Sequence, residues 1–525
     1  MIRALLLSLF ALLPIVFGQE TPQPKNPKLL LAVVVDQFRY DYLVRFRSDY
    51  KAGFARILEH GAVFTDAHHQ HFPTVTAIGH STFLSGATPS LSGIVGNTWY
   101  DRETGKTVTS VDDPATQLLG GAQGAIGSSP HRLLVSTIGD ELKMDGKGVK
   151  VIGVSIKDRS AILPGGHMAD GAYWFDGATG NWVSSTYYFK DLPEWVKDYN
   201  KTRPADKYLG AAWLPFNGKP GSSEPYVTMP TQPGPAFYGG LEATPFGNEL
   251  IEAMAEHAID AEQLGKHPGV DVLTVSFSSN DYVGHALGPD SPEVHDISVQ
   301  TDRILGKLLD YVDAHVGADN VLFVLTADHG VSPVPEVNRA RRMPGGRLVE
   351  KDLLAAVQNA LAAKFGEGKW IIGHDGPVPY LNYDLIAEKK LDPGVVEEAG
   401  AEALRNVPHI FRVYTRSEIM AGRVAEDYVT RDVRNGFFWK RSGDLFLVPD
   451  AYYFVAASAN GHGTSHGTPF NYDTHVPIIF MGAAIKPGRY QSPVAVNDIA
   501  PTLAAILQVE EPSGSVGRVL TEMLR

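Results

Sequence analysis

Unbroken apolar runs alternate along this chain with stretches whose apolar positions recur every three or four residues. The two patterns predict buried strands and amphipathic helices respectively. Leu29–Val35 (LLLAVVV), Val149–Ile156 (VKVIGVSI), Val270–Ser278 (VDVLTVSFS) and Asn320–Thr326 (NVLFVLT) read as strands covered on both faces. Helical periodicity runs through part of Asp41–Gly61 and through Arg132–Asp145, Pro245–Leu264, Pro292–Val316 and Asn497–Leu507. A shorter helix, AIGHSTFLSG, is opened by Thr76, and WYDRETGKTVTS reads as a hairpin around Glu103-Thr104-Gly105. Strands alternating with helices predict an α/β fold: a mostly parallel central sheet with helices on both faces. Two stretches, approximately 165–243 and 343–450, break the pattern and read as insertions capping the strand ends, after which Ala451–Ala457 is expected to return to the core.

The polar residues that end these strands carry the chemistry. In parallel sheets ligands bind beyond the carboxyl ends of the strands, and Asp36, Lys157, Asp281 and Asp328 all fall there. Asp281 and His285 stand four apart in an expected turn with a glycine between them. Asp328-His329 puts two donors at a strand terminus, and His466 adds an imidazole in the glycine-rich loop GHGTSHG. Singly these residues read as helix caps, loop pairs and polar turns. Gathered at the ends of separate buried strands, three Asp and three His without thiol suit Zn²⁺ in a catalytic role, with Mn²⁺ or Fe as alternatives.

Thr76 sits at a strand-to-helix turn, where backbone N–H groups and the positive end of a helix dipole favour an oxyanion. Alone it would be an N-cap; as a nucleophile its hydroxyl needs a base or a metal. Lys157 and Arg159 are two apart, so in an extended chain they share a face and would clamp phosphate oxygens. The amide of Asn97 is a candidate donor to the same oxygens. His68, His69, His71 and His80 are assigned to packing or to supporting the ligands.

Composition narrows the choice. Of 525 residues, 44% are hydrophobic and 20% charged, an ordinary globular mixture. A formal charge of −13 argues against nucleic acid or an anionic membrane as the main partner. The absence of cysteine excludes disulfides, thiolate-bound zinc and a cysteine nucleophile. Met1–Gly18 (MIRALLLSLFALLPIVFG) has the charged, apolar and small-residue order of a signal peptide. Its apolar run is shorter than a spanning helix wants, and residues 19–28 read as a linker. An exported catalytic domain over 29–525, periplasmic or secreted and with no membrane span in the mature chain, is the expectation.

The motifs VVVDQFRYDYL, HFPTVTAIGHSTFLSG, GIVGNTWYD, GVSIKDRSAILPGG, SFSSNDYVGH, LTADHG and GTSHGTPFNYDTHVPIIFMG occur in order from Val33 to Gly482. With them the chain resembles the alkaline phosphatase superfamily. The likeness is closest to its secreted bacterial branch with a threonine nucleophile and a Lys/Arg phosphate clamp, related to the type I phosphodiesterases/nucleotide pyrophosphatases. The resemblance implies two Zn²⁺ per chain, one held by Asp281, His285 and His466, the other by Asp36, Asp328 and His329 with Thr76 beside it. It further implies zinc-dependent hydrolysis of small phosphate monoesters through a phosphothreonine, with Asn97, Lys157 and Arg159 on the phosphoryl oxygens. A further structural ion such as Ca²⁺, and either a monomer or a homodimer, are compatible with it. The Lys/Arg pair favours monoesters, whose dianionic group rewards extra cations, over a diesterase or nucleotide pyrophosphatase of the same superfamily. No cysteine is present for a sulfatase nucleophile. The cofactor-independent phosphoglycerate mutases use serine and are cytoplasmic, against the leader. An exported metal-containing binding protein without turnover is the alternative of another class, disfavoured by Thr76.

Overall fold

The computed structural model describes residues 26–219 and 222–525, so the expected leader and most of the linker lie outside the described residues. Eleven strands form one sheet. In chain order they are β1 (Leu29–Val35), β2 (Ala62–Phe64), β3 (Asp112–Leu119), β4 (Ile126–Ser128), β5 (Val151–Ser155), β6 (Gly171–Asp176), β7 (Asn181–Ser185), β8 (Asp271–Phe277), β9 (Val321–Thr326), β10 (Ile478–Met481) and β11 (Gly488–Tyr490). Their order across the sheet is β11-β2-β10-β9-β1-β8-β5-β6-β7-β3-β4. The middle run β9-β1-β8-β5-β6 is parallel, and antiparallel pairs enter on both sides of it, so the sheet as a whole is mixed.

β1 lies at the centre with all seven residues buried, as its unbroken apolar run requires. Its register aligns Leu29 with Asp271 and Val321, and Val34 with Ser276 and Thr326; Ser276 in turn aligns with Ser155. Four neighbouring strands therefore finish at one level, and the residues that follow them emerge together.

Five helices matter to the site: α1 (Thr76–Ser85), α2 (Asp158–Ile162), α3 (Pro245–Ala261), α4 (Ser279–Leu287) and α5 (Pro292–His315). α1 is buried along its whole length and stops at Gly86, whose φ of 65° is the left-handed conformation that closes a helix. Residues 132–137 are not helical. The helix expected there begins at Ile138, because Thr137 and Asp140 form a capping box.

Ala451–Ala457 does not rejoin the main sheet. Tyr453–Ala456 pairs in parallel with Gly346–Val349 in a separate two-stranded sheet, and β10, antiparallel to β9, makes the return. Leu353, Val357, Trp370, Leu381 and Leu445 form a second core within 343–450. Residues 171–185 instead supply β6 and β7 to the main sheet. Among the described residues no helix is long and apolar enough to cross a membrane.

Candidate active site

Asp36 follows β1 directly, Asp328-His329 follow β9, Lys157 follows β5, and Asp281 and His285 lie on α4 just after β8. Asp281 and His285 are thus on a helix rather than in a turn, and the four-residue spacing puts both on one face. Nε2 of His285 is 3.2 Å from Oδ1 of Asp281. Nε2 of His329 is 3.4 Å from Oδ2 of Asp328 and 3.6 Å from Oδ1 of Asp36. Nε2 of His466 is 3.9 Å from Oδ1 of Asp281. All six expected ligands meet in one place, and Oγ1 of Thr76 is 3.4 Å from Nε2 of His329.

The three imidazoles share an orientation. Nδ1 of His285 lies 3.0 Å from the Thr464 carbonyl, that of His329 3.0 Å from Gly330 O, and that of His466 2.7 Å from Thr74 O. A carbonyl only accepts, so each Nδ1 carries the proton and each Nε2 turns a lone pair toward carboxylates. Backbone-fixed tautomers of this kind accompany metal-binding histidines. Oδ1 of Asp36 and Oδ2 of Asp328 are buried without a hydrogen-bond partner. Three buried carboxylates (Asp36, Asp281 and Asp328) face one buried ammonium, that of Lys157, an excess of negative charge that a low-dielectric interior does not tolerate without cations. The donor set fits divalent metal ions.

Titration directions differ within the cluster: burial acts to lower His285, but the charge of Asp281 outweighs it and raises that group. Burial and then the charge of Asp328 push Asp36 well above the usual carboxylate range. Burial also acts to raise Asp281, but Lys157 and His285 outweigh it and hold that group low. His466 is driven well below the ordinary imidazole value by burial, then by His329 and His285, which keeps it neutral and able to ligate.

Lys157 departs from expectation. It caps α2, so the chain does not stay extended to Arg159, and its Nζ lies 2.6 Å from both Asp36 and Asp281. Arg159 remains partly exposed, with Asp158 3.9 Å away. Asn97 accepts the Ala77 N–H through Oδ1 at 2.8 Å, which ties it to the first turn of α1. Thr76 is the first residue of that helix, with Val75 as its cap.

Residues beyond the expected ligands hold the donors in place. Gln37, in left-handed backbone with φ of 58°, donates its N–H to Asp328 and its Nε2 to Asp281 at 2.6 Å. No sequence pattern flags it; its role exists only when the strand ends converge. His80 donates from Nδ1 to Thr76 O at 2.9 Å and lies 3.3 Å from Asp328. Gly79 packs so closely on Asp328 that a Cβ there would overlap its backbone.

A cavity of about 310 Å³ opens beside the cluster, its lining including Val75, Asn97, His466, Asp375, Val378 and Phe446.

Strand ends, α4 and the loop of His466 bring carboxylates and imidazoles together beside Thr76, the arrangement of a metal-dependent hydrolase of the phosphatase kind. The chain belongs to the type I phosphodiesterase/nucleotide pyrophosphatase family, whose model matches residues 30–471. It is 38% identical over 529 residues to alkaline phosphatase PafA of Elizabethkingia meningoseptica, covering 97% of this chain and 96% of that one. Alkaline phosphatase PhoV of Synechococcus elongatus is 36% identical over 537 residues, covering 98% and 95%. The crystal structure of wild-type PafA superposes with a TM-score of 0.88 at 37% identity, covering 95% of this chain and 99% of that one. A PafA variant with a threonine, an asparagine, a lysine and an arginine replaced gives the same TM-score of 0.88.

Proposed function

We propose that this chain hydrolyses phosphate monoesters by in-line displacement, with Thr76 as nucleophile and a phosphothreonine intermediate. It is an alkaline phosphatase, a phosphoric monoester hydrolase, in keeping with relatives that match it end to end. That leaves no place for a non-catalytic binding protein.

The observation that carries the mechanism is the set of three imidazoles, each pinned through Nδ1 to a backbone carbonyl, turning Nε2 onto three buried carboxylates around Thr76. Asp281, His285 and His466 would hold one zinc ion and Asp36, Asp328 and His329 a second, supplying Lewis-acid charge to the attacking and leaving oxygens. Thr76 attacks from the first turn of α1, at the positive end of that helix's dipole. Asn97, fixed on Ala77 N–H and bordering the cavity, meets a phosphoryl oxygen with its amide. Lys157 and Arg159 supply positive charge to the remaining oxygens. In the PafA variant the replaced threonine and asparagine, and the replaced lysine and arginine, have the spacings of Thr76 to Asn97 and of Lys157 to Arg159. The leaving group departs past His466 into the cavity. The reading includes export behind a cleaved leader at Met1–Gly18.

Diester cleavage at the same site is the second reading, favoured by the family whose model spans residues 30–471. Turnover of an aryl phosphate and its methyl diester, with zinc-loaded and chelated protein, tests both. The expected result is faster monoester hydrolysis that chelation abolishes. No monoester turnover by the zinc-loaded protein at alkaline pH would overturn the proposal, and faster diester turnover would favour the second reading.

A further inference from the structure

The pairing of a protonated ring nitrogen with a backbone carbonyl recurs outside the active site. His68 and His475 face each other in an antiparallel bridge. The flanking bonds, His69 N–H to Thr474 O at 3.0 Å and Val476 N–H to Ala67 O at 3.1 Å, make them a non-hydrogen-bonded pair. In such pairs opposed side chains approach most closely. Asp66 lies just before the short strand Ala67–His68, and its carboxylate reaches the His68 ring. Donor atoms of Asp66, His68 and His475 all lie within 4.8 Å of one another.

The hydrogen bonds set the free lone pairs. Nε2 of His475 is 3.1 Å from the Thr65 carbonyl, which only accepts, so Nε2 carries the proton and Nδ1 is free to ligate. Nδ1 of His68 has Thr474 Oγ1 at 3.1 Å, while its Nε2 meets Oδ1 of Asp66 at 3.0 Å, a contact that needs either a proton or a cation between the two atoms. Tyr40 stacks on His475 with ring centroids 4.6 Å apart and orients that ring from its other side.

We propose that Asp66, His68 and His475 form a third cation site, for a borderline divalent ion such as Zn²⁺, separate from the six-residue cluster. One carboxylate and two imidazoles are a ligand set such ions accept, with water completing the coordination. The site's position gives it a purpose. Asp66 and His68 lie on the segment that leads into Thr76, and His475 closes the segment that begins at His466. An ion there cross-links the strand feeding the nucleophile to the loop feeding a ligand.

The test is zinc content by elemental analysis after gel filtration into metal-free buffer, for the wild type and for His475→Asn and Asp66→Asn. Each variant is expected to hold one equivalent less than the wild type and to show a smaller rise in Tm on zinc addition. Asp66→Asn leaves the stacked rings intact, so it reports on ligation even if His475→Asn folds poorly. Zinc content in Asp66→Asn equal to that of the wild type overturns the proposal. The comparison is a difference between proteins, so it stands whether or not the catalytic reading holds.

Discussion

The imidazole of His466 lies flat on that of His329, with ring centroids 3.6 Å apart and 17° between planes. The two residues come from expected ligand sets for different ions, so the sets form one continuous cluster. His466→Ala removes one donor and the ring that packs on the other. Zinc content is expected to fall by about one equivalent, with a parallel loss of phosphomonoesterase activity; full occupancy in the variant would remove His466 from the ligand list.

Thr76 is buried at the start of α1, and its hydroxyl touches His329 without holding any donor in place. Thr76→Ala is therefore expected to keep its metal content while losing at least about a thousandfold in kcat/KM, about 4 kcal/mol of transition-state stabilisation. An unchanged rate would end its role as nucleophile. Wild-type protein quenched in acid during turnover is expected to carry phosphate on Thr76, detectable by peptide mass spectrometry.

Lys157 has two duties that metal loading separates. With Nζ 2.6 Å from both Asp36 and Asp281, it is the ammonium that offsets these buried carboxylates. Lys157→Ala is expected to cost about 3–5 kcal/mol in chelated protein, the penalty for stripping a buried charge of its partner, and distinctly less once divalent ions are loaded. Thermal unfolding with and without chelator measures the difference, and an equal loss in both conditions would contradict it. Combined with Arg159→Ala, the substitution is expected to lower the ratio of monoester to diester turnover.

What the sequence made legible follows from what local pattern encodes. β1, β8 and β9 stand out because strands covered on both faces must be apolar throughout, and the donors after them stand out because nothing in packing calls for Asp36 or His329 there. The helix bearing Asp281 and His285 was hidden because SSNDYVGH contains turn formers that tertiary packing overrides. The position of Lys157 was hidden because its partners come from β1 and α4, far away in sequence. Gln37 was invisible for the same reason: a glutamine after a strand says nothing until two other strand ends arrive beside it. Ala451–Ala457 misled because an apolar run marks a strand but does not say which sheet it joins.

Gly79 shows how tightly the nucleophile helix is fitted to the ligand loop. A Cβ at this position overlaps the backbone of Asp328, which has no slack because its carboxylate already receives the Gln37 N–H. Gly79→Ala would favour the helix by roughly 1 kcal/mol in isolation. Here it is expected to lower both Tm and zinc content, because α1 must move off Asp328. A rise in Tm at full metal content would show that the contact is compliant.

The cavity that His466 and Asp375 both line carries a pH signature of its own. Burial pushes Asp375 up to about 6, against the opposing hydrogen bond from Thr98 Oγ1. A carboxyl raised in the folded state contributes its full share of stability below its unfolded value of 3.8, and that share is lost as pH rises through about 6. Asp375→Asn keeps a carbonyl for Thr98 and removes the charge. Relative to the wild type, the variant is expected to gain stability between pH 4 and 6 and to hold the gain at higher pH. The ceiling is roughly 3 kcal/mol, at about 1.4 kcal/mol per pH unit. At alkaline pH the wild-type cavity is anionic at this residue, so the variant is also expected to lower KM for monoesters whose leaving group bears a carboxylate more than for those with a neutral one. Parallel unfolding curves at every pH would place the Asp375 carboxyl in water, and an equal change in KM for both leaving groups would move the leaving group out of this cavity.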